Sequence, residues 1–163
     1  MFRIGLGKDI HRLVSQRPFL AGGVKIPFEK GEAGYSDGDV LIHAVIDAIL
    51  GAGGLGDIGE FFPPGDPKWK NADSRELLQI AGKIIKEKGW KIVNLDCVIT
   101  CEMPKILPYR DQIRASLAAI LEIETGNIFV KGKTAEGLDS IGKGEAVEAM
   151  AVCLLEKIFK NGE

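Results

Sequence analysis

The stretch that decides the fold is GYSDGDVLIHAVIDAILG, residues 34–51. Its SDGD segment at 36–39 is typical of a helix start, and the first and last residues of that segment stand at capping-box spacing. The run at 40–50 is apolar except for His43 and Asp47. The pattern therefore predicts a helix that ends near residue 50 and is too short to span a bilayer.

Working outward from this helix, periodicity and turn residues predict further elements. Before and just after it they are a strand at 2–12, a hairpin at 19–26 around Gly22-Gly23, and a Gly- and Pro-rich loop at 51–72. A helix from Asp73 to Gly89 follows, and then a strand at 90–101. The chain continues with a proline-bracketed loop at 103–108, a helix ending near Glu122, and a strand at 127–134. The last segment, 145–159, stays open, because its Ala, Glu, Met and Leu favour a helix while strand pairing can override that preference. The order predicts one α/β layer domain over residues 1–163, a length usual for a single domain.

Composition and charge exclude several classes of protein. The 21 Lys and Arg residues against 23 Asp and Glu residues give a net charge of −2, too balanced for a general nucleic-acid binder. The N-terminus has no signal-peptide pattern, so we expect a cytoplasmic protein with no membrane partner. Cys97, Cys101 and Cys153 form no CxxC pair, which favours buried, reduced thiols.

Two apparent nucleotide motifs fail on inspection. GAGGLG at 51–56 matches the dinucleotide fingerprint GxGxxG, but that fingerprint needs a strand before it and a helix after it, whereas here a helix precedes and a loop follows. Gly132-Lys133-Thr134 has the letters that end a P-loop, yet the required earlier glycine would fall at Asn127. Neither motif carries the function.

Three candidate metal ligands remain. Asp9 and His11 are two apart, hence on one side of an extended chain, and His43 lies on the apolar helix with Asp39 and Asp47 four residues to either side. Asp9, His11 and His43 suit zinc with one open position, which could polarise a phosphoryl oxygen or activate a water. The alternative is an exposed His11 and a hydrogen-bonded core His43, and spacing alone leaves both open.

Two further segments could meet phosphate. The N–H groups at 36–39 form a phosphate seat, although capping alone accounts for these residues. Lys131, Lys133 and Thr134 at a strand end, followed by Glu136, could offer cations, a hydroxyl and a carboxylate for Mg²⁺. A solvated strand end is the alternative interpretation.

Taken together, six stretches resemble the 2-C-methyl-D-erythritol 2,4-cyclodiphosphate synthase family. They run in the family's order from Gly5 to Val147 and are GLGKDIHRL, GYSDGDVLIHAVIDAILGAGGLGDIGEFFP, ADSRELL, EMPKILPY, VKGKTAE and GKGEAV. D-x-H together with SDGDVxxHAxxDAxxGAxxxGDIGxxFP is highly specific to this family.

The resemblance implies a fold and an activity. The fold would be a single α+β domain with a mixed four-stranded sheet, helices on one face and the order β-α-β-α-β-β, so the last segment would be a strand. The protein would be a homotrimer with active sites between neighbouring chains, located in the cytoplasm, or in the plastid stroma if its source is a plant or alga. The 2-phosphate of 4-diphosphocytidyl-2-C-methyl-D-erythritol 2-phosphate would attack the β-phosphorus, close the ring and expel CMP, a step of non-mevalonate isoprenoid synthesis.

The resemblance also implies roles for individual residues. Asp9, His11 and His43 match the family's zinc ligands, and Glu136 would hold Mg²⁺ or Mn²⁺ between diphosphate oxygens. Thr134 and Tyr35 would be catalytic. The substrate-binding positions would be Ile10 and Ser36; Asp57, Ile58 and Gly59 at the sugar; Phe62, Pro63, Pro64, Gly65 and Asp66 in a flap over the methylerythritol; Cys101, Glu102, Met103, Pro104, Lys105, Ile106 and Leu107 in the neighbouring subunit's cytosine loop; Lys133 and Ala135 in the phosphate segment; and Ser140 and Lys143.

Four positions depart from the family's pattern. Tyr35 stands where His is frequent, and we expect its phenol to donate the equivalent hydrogen bond to the transferring phosphate. Ala135 offers no hydroxyl, and Ser140 replaces a frequent aromatic residue. Lys143 replaces a frequent Arg at the mouth of a trimer cavity that can hold an isoprenoid phosphate, which lysine would bind more weakly because it forms no bidentate fork. A zinc-dependent phosphohydrolase and a non-catalytic nucleotide- or isoprenoid-phosphate-binding trimer are the alternative functions.

Overall fold

A computed structural model describes residues 1–158. Five strands form a mixed sheet, and two more form a separate hairpin: β1 (Phe2–Ser15), β2 (Phe19–Ala21), β3 (Val24–Ile26), β4 (Lys30–Glu32), β5 (Trp90–Thr100), β6 (Ile128–Lys133) and β7 (Ala146–Lys157). The sheet order is β4-β1-β7-β5-β6, and β2 pairs with β3. Only β5 and β6 run parallel; the other neighbours are antiparallel.

The helices pack on one face of this sheet, which confirms the expected α+β class. They are α1 (Val40–Gly53), α2 (Ile58–Phe61), α3 (Ser74–Glu87), α4 (Arg110–Leu121) and α5 (Asp139–Gly142), with 3₁₀ turns at Pro67–Trp69, Leu107–Tyr109 and Thr125–Asn127. The buried side chains of α1, α3 and α4 join those of β5, β6 and β7 in one hydrophobic cluster. Within residues 1–158, no helix has both the length and the apolar character to cross a bilayer.

Helix α1 lies directly on the backbone of β1. A Cβ atom added at Gly5 would come 1.9 Å from the Ala48 carbonyl oxygen, and one added at Gly7 would come 1.9 Å from that of Ala44. Since side chains alternate along a strand, Asp9 and His11 point to the same face as these glycines, toward α1. The two glycines therefore bring the first candidate ligands against the helix that carries His43.

The opposite face of the sheet exposes apolar side chains. The alternation that turns Gly5 and Gly7 toward α1 turns their neighbours away from it. Seven large apolar residues on β1, β6 and β7 are exposed in the single chain: Phe2, Ile4, Leu6, Ile10, Phe129, Met150 and Val152. A patch of this kind is typical of a protein–protein contact.

The last segment is a strand, as the resemblance implies. Strand β7 is the central strand of the sheet and pairs with β1 on one side and β5 on the other. Hydrogen bonding along both edges outweighs the helix preference of its Ala, Glu and Met residues. The sequence places the end of this segment at Phe159, and that residue lies outside the described residues.

The structure differs from the expected elements in three details. A fifth, short strand, β4, extends the four-stranded sheet by pairing with the end of β1. The stretch at 51–72 is not all loop, because α1 continues to Gly53, and α2 and a 3₁₀ turn follow. The cap of α1 is Asp39 alone, whose side chain accepts from the Ile42 N–H; Ser36 lies outside the helix.

All three cysteines are buried and unpaired, as expected. Burial raises the pKa of each thiol, Cys97, Cys101 and Cys153, to about 12. Thiols with such pKa values stay protonated at neutral pH and are poor nucleophiles and poor metal ligands. They therefore contribute to the core and not to the candidate metal centre.

Candidate active site

The three candidate metal ligands converge at one point between β1 and α1. His11 Nε2 lies 2.8 Å from Asp9 Oδ2, and His43 Nδ1 lies 3.0 Å from the same oxygen. The two histidine nitrogens are 3.3 Å apart. All three side chains are mostly buried. The structure thus favours the metal-site interpretation over an exposed His11 and an isolated core His43.

This donor set fits a metal ion such as zinc. Ligands about 2.0–2.1 Å from a tetrahedral ion lie about 3.3 Å from one another, close to the spacing of these three atoms. The pKa of the Asp9 carboxyl lies well below its usual range. Burial alone would raise it, but the hydrogen bonds from His11 and His43 outweigh that effect. His11 directs Nε2 at the cluster, 2.8 Å from Asp9 Oδ2, and within residues 1–158 its buried Nδ1 has no hydrogen-bond partner. One carboxylate and two imidazoles leave a fourth position open for a ligand.

The far side of the His43 ring meets two hydroxyl groups. His43 Nε2 lies 3.1 Å from Ser36 Oγ and 3.0 Å from Ser74 Oγ. Ser74, the first residue of α3, also donates to Asp37 through both its hydroxyl and its backbone N–H. Ser74 and Asp37 could not be predicted as neighbours of a ligand, since Ser74 is 31 residues from His43 and no local pattern links them.

The two aspartates on the His43 stripe have separate structural tasks. Asp39 is fully buried and accepts from the N–H groups of Gly22 and Gly23 as well as Ile42, so it ties the β2–β3 hairpin to α1. Asp47 accepts from the Ile58 N–H at 2.8 Å and holds the start of α2. Burial raises the pKa of both carboxyls. Neither belongs to the metal cluster.

A cavity of about 250 Å³ opens beside the metal cluster. The predicted site residues in its wall are Asp9, His11, Tyr35, Ser36, His43, Ile58, Gly59, Phe62 and Pro64, to which the structure adds Trp69 and Leu77. Asp57 caps α2 by accepting from the Glu60 N–H. Phe62 is buried edge-on against Trp69, with ring centroids 5.0 Å apart, while Pro63, Pro64, Gly65 and Asp66 are exposed. The predicted sugar segment and flap therefore adjoin the metal cluster.

Tyr35 contacts the predicted flap. Its hydroxyl donates to the Asp66 carbonyl oxygen at 3.1 Å, and its carbonyl accepts from the Asn71 N–H at 2.9 Å. In this chain the phenol thus bridges the metal side of the cavity and the flap. Its predicted hydrogen bond to a phosphate stays a prediction.

A second cavity, of about 220 Å³, brings the predicted cytosine loop and phosphate segment together. Its lining comprises Cys101, Pro104, Lys105, Ile106, Leu107, Lys133 and Thr134, together with Gly132 and Arg110, which were not among the predicted site residues. The Met103–Pro104 peptide bond is cis. Met103 is exposed and Cys101 is buried, with its thiol directed at the Pro104 carbonyl.

Glu102 organises the phosphate segment. Its Oε1 accepts from the Ala135 N–H at 2.9 Å and from the Gly137 N–H at 3.2 Å. Thr134 donates to the Glu136 carboxylate at 2.6 Å, and Glu136 is exposed with a positive φ of 54°. The structure thus gives Glu102 a positioning task that the resemblance did not imply.

Among the predicted site residues that line neither cavity are Ile10, Ser140 and Lys143. Ile10 is on the exposed sheet face, although its backbone N–H donates to Asp9 Oδ1 at 2.9 Å. Ser140 is on α5 and Lys143 is the C-cap that follows it, and both are exposed. Their predicted ligand contacts stay predictions.

Together, the fold and the site define a class of protein: a small α+β protein with an Asp/His/His candidate metal site beside an open cavity. The YgbB family model matches residues 2–156, so the chain belongs to the YgbB family. The chain is 60% identical over 153 residues to the 2-C-methyl-D-erythritol 2,4-cyclodiphosphate synthase of Treponema denticola, covering 94% of this chain and 95% of that protein. This confirms the family resemblance and the expected activity, that of a cyclodiphosphate synthase, a lyase acting on phosphorus–oxygen bonds.

Solved structures agree with this assignment. The bifunctional IspDF from Campylobacter jejuni matches with a TM-score of 0.93 at 39% identity; the match covers 98% of this chain and 43% of that longer one. An IspF–CDP complex from Plasmodium falciparum matches with a TM-score of 0.86 at 36% identity, covering 97% of each chain. A cytidine nucleotide is therefore a ligand of a close structural relative.

Proposed function

We propose that the protein converts 4-diphosphocytidyl-2-C-methyl-D-erythritol 2-phosphate into 2-C-methyl-D-erythritol 2,4-cyclodiphosphate with release of CMP. The observation that carries the proposal is the convergence of Asp9, His11 and His43 beside an open cavity, in a chain so similar to named synthases. The 2-phosphate oxygen forms a bond to the β-phosphorus while the bond from that phosphorus to the CMP oxygen breaks. Phosphoryl transfer of this kind depends on positioning and charge stabilisation more than on a protein nucleophile.

Asp9, His11 and His43 would hold zinc, and the open fourth position would take a phosphate oxygen. Zinc bound there supplies a Lewis acid that polarises the phosphoryl group. Ser36, in the cavity wall next to His43, is placed to donate a hydrogen bond to the same phosphate. Ile58 and Gly59 would contact the methylerythritol, with Asp57 fixing their helix, and residues 62–66 would cover it.

The second cavity would bind the cytidine diphosphate part of the substrate. Residues 101–107 would enclose the base, while Lys133, Thr134 and the Ala135 backbone would contact the phosphates. Exposed Glu136 would hold Mg²⁺ or Mn²⁺ between phosphate oxygens, a task that suits a hard carboxylate. The two metal cations and Lys133 would together balance the negative charge of the substrate. The protein as a whole cannot do so, because its own net charge is −2.

The two half-sites of one chain form separate cavities on different strands of the sheet. The metal ligands are on β1 and Lys133 is on β6, three strand steps away, or roughly 14 Å at the usual strand spacing. A neighbouring copy would supply the missing half, and the exposed apolar sheet face offers the contact surface. These observations support the homotrimer with intersubunit sites. Lys143 would lie at the mouth of a central cavity able to hold an isoprenoid phosphate, and Ile10 and Ser140 would contact the substrate.

Two further predictions accompany this function. We expect residues 1–163 to form one domain, although residues 159–163 lie outside those described. We also expect a cytoplasmic location, which suits three buried, reduced thiols. Both stay predictions.

Incubation of the protein with its substrate, Zn²⁺ and Mg²⁺, followed by ³¹P NMR, tests the reaction. We expect CMP and a cyclic diphosphate in equal amounts. Transfer of solvent ¹⁸O into a phosphate product would instead indicate a phosphohydrolase. Binding of CDP without any release of CMP would indicate a non-catalytic binding protein.

Tyr35 has a separate test, because its hydroxyl donates its one hydrogen to the Asp66 carbonyl and would have to turn away from the flap to donate to the phosphate. Tyr35→Phe removes the donor to Asp66 but keeps the ring. We expect a lower turnover, measured as CMP release at saturating substrate. Unchanged turnover would reject a catalytic task for this hydroxyl.

A further inference from the structure

A buried chain of hydrogen bonds leads from the metal cluster into the protein. His43 presents Nδ1 to Asp9 and His11, and its Nε2 lies 3.0 Å from Ser74 Oγ. Ser74 is fully buried, and its hydroxyl donates to Asp37 Oδ1. Its backbone N–H donates to the other Asp37 oxygen at 3.0 Å. The Asp37 carboxylate thus holds Ser74 at two points.

We propose that Ser74, held by Asp37, is the positioning residue that fixes the orientation and tautomer of His43 as a metal ligand. The Ser74 hydroxyl spends its one hydrogen on Asp37, so toward His43 its oxygen can only accept. His43 Nε2 must then carry the proton, which leaves the Nδ1 lone pair directed at the cluster. The inference deepens the proposed function and rests on its metal site.

Ser74 and Ser36 both approach Nε2, but their surroundings assign them different tasks. Ser36 lines the cavity and is 8% exposed, so a substrate can reach its hydroxyl. Ser74 is 0% exposed and does not line that cavity. Of the two hydroxyls, only that of Ser74 stays on His43 whether or not substrate is bound.

Backbone contacts set the position of this support before any ion binds. The Asp37 N–H donates to the Ala72 carbonyl at 3.0 Å, and the Asn71 N–H donates to the Tyr35 carbonyl at 2.9 Å. The segment that leads into α3 is therefore tied to the segment that leads into α1. Partners that orient a ligand in this way are worth about 10–100-fold in metal affinity.

The first test measures the affinity for Co²⁺ and Zn²⁺ alone, by titration against a chelator with visible absorption as the readout for Co²⁺. We expect Ser74→Ala to bind each ion about 10–100-fold more weakly than the wild type. Ser116→Ala, a matched change on α4, should bind as the wild type does, and Ser36→Ala should lose far less than Ser74→Ala. Asp37→Asn, which retains the Ser74 hydroxyl, should lose an intermediate amount and carries the test if Ser74→Ala fails to fold.

The second test observes the proton itself. The chain has only two histidines, so ¹H–¹⁵N spectra of the zinc-loaded, histidine-labelled protein are simple to assign. We expect a solvent-protected Nε2–H resonance from His43 in the wild type and in Ser36→Ala, and rapid exchange of that proton with water in Ser74→Ala. A general loss of stability would not select this one proton.

The outcomes separate the inference from the function on which it rests. A wild-type protein that binds neither ion would overturn the proposed metal site and this inference together. A wild type that binds the ions while Ser74→Ala binds them equally well, or keeps its protected Nε2–H, would overturn the inference alone. Coordination of His43 through Nε2 would also overturn it.

Discussion

The metal half and the phosphate half of the candidate site are built differently. Asp9, His11 and His43 are on the longest strand and the most buried helix, and their side chains meet within the single chain. Thr134 and Glu136 follow the end of β6 and are exposed or half-exposed, and the carboxylate of Glu102 accepts from the N–H groups of the residues that follow each of them, Ala135 and Gly137. One half is fixed by the core, whereas the other is a surface turn.

This difference shows what one chain can prepare in advance. Ligands that must meet an ion within a few tenths of an ångström come from regular elements, because side chains there have few alternative orientations. The groups that meet a flexible diphosphate come from a turn, which can adjust to it. Four predictions test this contrast, from the largest expected effect to the smallest.

The largest effect should follow from His43→Ala, which removes a ligand from the rigid half. Loss of Lewis-acid stabilisation worth about 4 kcal/mol corresponds to about a 10³-fold fall in turnover. The measurement is CMP release at saturating substrate, with Ser116→Ala as a control on α4 and circular dichroism to confirm folding. Full activity in His43→Ala would refute the proposed mechanism.

Mixing two inactive variants should restore activity if the halves of a site come from different chains. His43→Ala lacks the metal half and Thr134→Ala lacks the phosphate half. Random assembly from equal amounts should leave about a quarter of the sites with both halves intact. The measurement is activity after co-expression, compared with each variant alone. No recovery would place both halves of a working site in one chain.

A moderate effect is expected from Glu102→Ala, which frees the N–H groups of Ala135 and Gly137. Each lost hydrogen bond to a charged acceptor is worth about 1.5 kcal/mol, so kcat/KM should fall about tenfold or more. Zinc affinity should not change, since Glu102 is remote from the metal half. Glu102→Gln keeps an acceptor oxygen and should retain most of the activity; equal losses in both variants would contradict the proposed positioning.

The pH dependence of stability should reveal a buried acid on the rigid side. Glu32 is fully buried; burial raises its pKa to about 8, with Asp39 and Asp37 adding to the shift and the Leu20 N–H opposing it. Between about 4.5 and 8 the folded state keeps a proton that the unfolded state releases. The contribution of Glu32 to the free energy of unfolding is therefore fully present below about pH 4.5. It decreases as the pH rises toward about 8, by up to about 1.4 kcal/mol per pH unit.

Urea unfolding of the metal-free protein at pH 5 to 8 measures this decline. Glu32→Gln should show a shallower dependence on pH than the wild type, while Glu29→Gln, an exposed neighbour, should follow the wild type. Nearby Cys101 does not interfere, because burial keeps its pKa near 12. Equal slopes in wild type and Glu32→Gln would show that Glu32 is ionised in the folded protein.

The sequence predicted elements where local chemistry determines them. Asp73 caps α3 and Gly89 follows its end with a positive φ of 73°, as their residue types indicate. Strand β7 could not be predicted from propensity, because pairing with β1 and β5 decides its conformation. Ser36 appeared to be part of a capping box, yet burial of Asp39 against the β2–β3 hairpin makes Asp39 the cap.

The candidate site followed the same rule. Spacing indicated that Asp9 and His11 share one side of β1, and they do. Spacing could not show that Ser74 would meet His43, because that contact depends on how α3 packs against α1. The task of Glu102 could not be predicted either, since the two N–H groups that donate to its carboxylate are 33 and 35 residues away in the sequence.

The contact between Gly7 and the Ala44 carbonyl has a consequence for engineering this protein. Backbone touches backbone there, so the separation of the ligand-bearing strand and helix does not depend on which side chains fill the rest of the core. Repacking the far side of α1 should therefore leave the ion's coordination unchanged. A single methyl group at position 7 would wedge the two elements apart and separate His43 from Asp9, so even the smallest substitution there would disrupt the metal centre.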